Sequence, residues 1–109
     1  MTKKFDESYV LLADMRGDEY FAEFLVDKAE ALIREVIELL ESGENDLDTV
    51  QAALDKMTLA INDLQEEFEE NDSEIETAAR DSIGETVEYV LKWFDIDIDI
   101  ETAIGEREW

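Results

Sequence analysis

Between Leu47 and Phe68, apolar residues return every three or four positions without a break: Leu47, Val50, Leu54, Met57, Ile61, Leu64 and Phe68. This three-and-four alternation is an a/d seam, which only an α-helix can present to one neighbour; a strand would scatter the same residues over both of its faces. No proline interrupts this or any other stretch of the 109 residues, and the only glycines are Gly17, Gly43, Gly84 and Gly105. Such a composition fits long uninterrupted helices. Asp46 is the natural N-cap, and the seam predicts packing along one partner helix at about +20°.

The partner precedes it. From about Glu19 to Ser42, Phe21, Phe24, Leu25, Leu32, Ile33, Val36, Leu39 and Leu40 repeat near 3.6 in a wide stripe, as a central helix touched by several neighbours requires. Asp18 reads as its N-cap and Gly43 as its C′ glycine. The short loop between the two helices makes an antiparallel hairpin the cheapest arrangement. A third helix follows what reads as a capping box, Ser73-Glu74-Ile75-Glu76, and runs to Phe94. Its small residues Ala78, Ala79, Ser82 and Gly84 predict a close approach to a neighbour. Glu30/Arg34, Glu76/Arg80 and Glu88/Lys92 are i,i+4 pairs in the favourable order. Short helices are expected at about 6–14 and 100–106. The expectation is all-α: an antiparallel bundle of three long helices with short N- and C-terminal helices, forming one acidic domain over residues 1–109. At 45% hydrophobic residues the chain can fill one core.

Composition then removes function classes. There is no Cys and no His, so thiolate chemistry and the commonest general base and transition-metal ligand are missing. Thirty-two acids against nine bases leave −23, which argues against direct binding of nucleic acid or an anionic membrane. Behind Lys3 and Lys4 there is no apolar core of a secretory signal, and a cytoplasmic location is expected.

The charge is densest where Asp63, Glu66, Glu67, Glu69, Glu70, Asp72, Glu74 and Glu76 crowd eight acids into fourteen residues, with no base between Lys56 and Arg80. A helical path would space them at about 2.6 Å per charge, approaching duplex DNA at about 1.7 Å. A charge run is ordinarily a solvated face. Yet solubility of a small domain needs a net charge of only about 2–8, far short of −23. These eight residues are the candidate surface for a basic protein partner.

Other chemistry fares less well. Asp95-Ile-Asp97-Ile-Asp99-Ile-Glu101, with Glu106 at position twelve, echoes an EF-hand loop. Ile100 occupies the position of the turn glycine, however, and the competing reading packs Ile96, Ile98 and Ile100 inward while Asp99 caps a short helix. Carboxylate pairs such as Asp63/Glu66 lack the histidines of bundle metal sites and could hold hard cations only weakly. A glycosidase-like acid pair needs a cleft that small bundles seldom have. No serine has a histidine to activate it. The expectation is no enzyme, no cofactor and no metal.

The runs DLQEEFEENDSEIETAARDSIGETVEYV (63–90), YFAEFLVDK (20–28) and EREW (106–109) resemble a bacterial family catalogued as domain of unknown function 5713. The resemblance covers nearly the whole chain. The family pattern has proline after Tyr-Phe, where Ala22 stands here, and a final helix before the terminal Arg-x-Trp. That implies a helix rather than a calcium loop at 99–106, and implies no activity. The leading functional reading is a non-enzymatic acidic protein engaging a basic protein, as a nucleic-acid mimic or an immunity-type inhibitor would. The alternative is a structural or weakly divalent-cation-binding protein with no charge-driven partner.

Overall fold

The computed structural model describes residues 3–109. It holds α1 (Ala13–Arg16), α2 (Glu23–Glu41), α3 (Leu47–Glu70), α4 (Thr77–Trp93) and α5 (Ile100–Ala103), with no strand among the described residues. Lys28, early in α2, reaches Glu67, late in α3, so the two helices form the expected antiparallel hairpin. α1 bridges α4 to α2, and α5 bridges α4 to α3. α3, with 24 residues, is about 36 Å long in a molecule whose longest extent is 43 Å.

The seam closes as its spacing requires. Val50, Leu54, Met57, Ile61, Leu64 and Phe68 are buried, and only Leu47, in the first turn, stays 45% exposed. Asp46 caps α3 by accepting from Thr49 N at 3.1 Å. Gly43 ends the α2 connection at φ 98°, where any side chain would be strained. Arg16 pins α1 to α2 through Asp27 and Glu30, both at 2.9 Å.

Three helix starts depart from expectation, each where another partner takes backbone groups. α2 begins at Glu23, because the Asp18 carboxylate accepts from Tyr20 N (2.9 Å) and holds residues 18–22 in a turn. Phe24 consequently falls outside the stripe and is exposed, while Val26, Ala29 and Ile37 are buried. The N-terminal helix is α1 at 13–16, not 6–14. Asp6 folds onto Ser8, and Leu12, at φ 56°, donates its N–H to Thr86 Oγ1 at 3.1 Å.

The third departure is Ser73, which does not cap α4. Its N–H and hydroxyl both bond the Phe68 carbonyl, at 2.9 and 3.1 Å. With Asp72 N donating to Glu69 O and Asp72 at φ 61°, this is a Schellman closure of α3. α4 starts four residues later, and its N-cap, Glu76, makes no side-chain capping bond. Arg80 forms no ion pair among the described residues, whereas Glu30–Arg34 and Glu88–Lys92 close at 3.3 and 3.2 Å.

Of the small residues in α4, Ala79 and Ser82 are buried and permit a close approach, made by α1. Gly84 does not take part. A Cβ built on it meets nothing within 4 Å. Since glycine inside a helix costs about 0.5–1 kcal/mol relative to alanine, Gly84→Ala should raise stability by about that amount in a urea titration. A loss instead would mean the helix needs the glycine here.

A second Schellman closure ends α4: Asp95 sits at φ 57° and Ile96 N donates to Leu91 O at 2.9 Å. Ile96 is buried, and Ile98 and Ile100 pack half-buried against the core. Asp99 caps α5 through Glu101 N, at 3.1 Å. α5 stops at Ala103, shorter than the expected 100–106. Asn62 then clamps the tail, donating to Glu106 O and accepting from Glu108 N, both at 2.9 Å. Trp109 is buried beyond this clamp, its indole N–H without an acceptor among the described residues.

Candidate functional site: an acidic end of the bundle

The eight acids do not follow one helical path. α3 carries Asp63, Glu66, Glu67, Glu69 and Glu70; the chain then reverses at Asp72, and Glu74 and Glu76 lie on the extended connector to α4. The even spacing computed for a continuous helix is therefore lost. In its place are a helix face and a turn. Asp63, Glu66 and Glu70 are exposed on the side of α3 away from the seam. Glu67 faces α2 and pairs with Lys28, and among the described residues no base comes within ion-pair distance of the other seven.

At the turn, carboxylates crowd one another. A shared proton with Glu76 would favour the neutral form of Glu74, and repulsion from Glu76, burial and then repulsion from Glu69 act the same way. Together they hold the Glu74 carboxyl above its ordinary value. Because the folded value is the higher one, this contribution favours the fold at low pH and is lost as pH rises through it. The crowding opposes folding at neutral pH.

The EF-hand-like run is not arranged as a loop around an ion. Asp95 closes α4 and Asp99 caps α5. Among the described residues no three carboxylates are grouped to hold a metal. Likewise, no helix there is long and apolar enough to cross a membrane.

A second feature has no counterpart in any local sequence pattern. Residues 3–9 lie as a strap over the C-terminal half of α4. Phe5 meets Tyr9, Tyr89 and Trp93 edge-on at 6.0–6.1 Å, and Tyr9 stacks on Tyr89 at 3.9 Å. Trp93 Nε1 donates to Lys4 O (2.8 Å), while Lys3 Nζ lies 4.9 Å from the Trp93 ring. Hydrogen bonds from the Ser8 hydroxyl, then Tyr89, then Ser8 N–H hold the Asp6 carboxyl below its ordinary value. The Tyr89–Asp6 bond, 2.7 Å long, pushes the phenol up.

The two signs bracket a window. Asp6 supports the fold above its unfolded value and loses that support as pH falls through its lowered folded value. Tyr89 supports it below its unfolded value of about 10 and loses that support as pH rises through its raised one. The strap should hold between these limits, and in Tyr89→Phe the amides of Phe5–Ser8 should exchange faster at pH 7 than in the wild type. Equal exchange in both proteins would show that the Asp6 bond does not hold the strap.

This is an all-helical bundle with an acidic end and no metal-type cluster among the described residues. The model of the Family of unknown function (DUF5713) matches residues 5–109, and the chain belongs to that family. No curated protein and no solved structure matches the chain.

Proposed function

We propose that this is a non-enzymatic binding protein of the bacterial cytoplasm whose acidic end, from Asp63 to Glu76, engages a basic protein. Occupation of a site that otherwise receives nucleic acid, or inhibition of a basic toxin-like partner, would be its concrete forms. The observation that carries the reading is the position of the acids. Glu66, Glu67, Glu69 and Glu70 crowd the last turns of α3, whose own last turn carries no base. The helix dipole is negative there, so it favours cations and opposes carboxylates. Helix formation does not call for acids at that end, and solubility is met by far less charge. A basic partner would turn the same repulsion into attraction, with steep loss of binding as salt rises. The test is capture of partners from a bacterial lysate at low salt, comparing the wild type with a variant neutralised at Asp63, Glu66 and Glu70. A partner retained equally by both would reduce the acidic end to ordinary solvation.

A further inference from the structure

We propose that the cleft between α4 and α5 seats a single arginine side chain of the basic partner, an inference that rests on the reading of that partner as a basic protein. The cleft is open to solvent and offers about 260 Å³. That lies below the range of about 300–1,000 Å³ typical of small-molecule sites, but is on the scale of one long side chain. Its apolar wall is Ile100 and Ile104, and its polar rim comes from α4 together with Glu101 and Arg107.

Several charges on the rim are already engaged. Arg107 donates to Glu101 (2.9 Å) and to the Ile104 carbonyl (3.3 Å), and Lys92 holds Glu88 at 3.2 Å. Asp81 and Glu85, one turn apart on the same face, have no base partner among the described residues. Arg80 is the remaining uncompensated charge, which leaves the rim net negative within a chain of −23. A guanidinium fork pairs with the two oxygens of one such carboxylate, while its stem covers apolar surface.

Gly84 supplies an independent observation. It lines the cleft in the middle of α4, and a Cβ there would meet nothing within 4 Å. The packing of the fold therefore gives no reason for a residue that weakens the helix; what the missing side chain does is leave the cleft open. Glu85 also borders a depression on the opposite flank of α4, beside Tyr9 and the exposed Val10, which extends the surface available to a protein partner.

The test is titration of a nona-arginine peptide at low salt into the wild type, Gly84→Gln, and the Asp63→Asn/Glu66→Gln/Glu70→Gln variant. Gly84→Gln fills the cleft with a good helix former and leaves the net charge unchanged, so a purely diffuse attraction would not register it. Affinity should fall about tenfold or more in Gly84→Gln, each tenfold being one decade in Kd. In the wild type, the amide resonances of Gly84 and Ile104 should move on titration, a readout independent of whether the variant folds. Unchanged affinity in Gly84→Gln with loss in the α3 variant overturns the cleft and leaves the acidic end standing. A peptide that fails to bind the wild type overturns both. Resonances at Gly84 and Ile104 that respond to inorganic phosphate and not to the peptide would make this an anion site and overturn the proposal.

Discussion

Truncating Phe68 to alanine should cost about 3–5 kcal/mol, the range for a large aromatic removed from a close-packed core. Phe68 is fully buried, meets Phe21 edge-on with ring centroids 6.1 Å apart, and closes the seam at its C-terminal end. Its carbonyl also receives both Ser73 bonds, so a shift of this residue disturbs the turn that hands α3 on to α4. Small domains are stable by only about 5–15 kcal/mol, and the urea midpoint should fall by a large fraction of its value. Leu47→Ala is the matched control. It belongs to the same a/d series but is 45% exposed, so its truncation should cost well under the roughly 2–5 kcal/mol of a buried leucine. Equal losses at the two positions would mean that the hairpin is packed in another register.

The elements legible in the sequence are those whose causes are local. The α3 seam depends on spacing along a single helix, the Asp46 cap, the Gly43 terminus and the Asp99 cap on residues within a turn of one another, and all are present. Where two local motifs compete, the sequence does not reveal the winner. Ser73-x-x-Glu76 has the form of a capping box, yet the same serine can close the preceding helix. Here it is buried against the Phe68 carbonyl, and the contact decides the contest. Asp18 was open to the same ambiguity between helix cap and turn. Non-local features left no periodic trace at all. Phe5 meets Trp93, and Tyr9 stacks on Tyr89, across about eighty residues of chain, and Asn62 clamps a tail more than forty residues away. The acidic run was visible as composition, but its division into a helix face and a turn follows from the backbone reversal at Asp72. Glu74 and Glu76 stand two residues apart beyond that reversal, and the pairing of Glu67 with Lys28 depends on the hairpin. The α4–α5 cleft is beyond sequence reading, because its walls come from elements whose proximity only the fold supplies.

Neutralising Asp63, Glu66 and Glu70 together should stabilise the protein and weaken its hold on a basic partner. Glu67 is left in place because it is the one acid of the run engaged by a lysine; removing it would mix loss of an ion pair with relief of repulsion. The three chosen residues lie three and four positions apart on an exposed face, and like charges so spaced each cost a helix about 0.2–0.5 kcal/mol. Several such pairs vanish in the triple variant, and the adverse interaction of Glu66 and Glu70 with the α3 dipole goes with them, so a gain of about 1 kcal/mol is expected. The gain should depend on salt. At about 0.01 M the Debye length is roughly 30 Å and acids across the whole bundle repel one another, whereas at 1 M it is about 3 Å. Sodium chloride at about 0.2 M should therefore stabilise the wild type more than the variant, and the two unfolding midpoints should converge. Binding should move the other way, since the charges that strain the free protein are those a basic surface would neutralise. A fold selected for stability alone would not keep such residues, whereas a binding surface commonly retains them at a cost to the fold. A triple variant no more stable than the wild type at low salt would remove the premise. A more stable variant that binds its partner as before would place the acidic end among ordinary solvated faces.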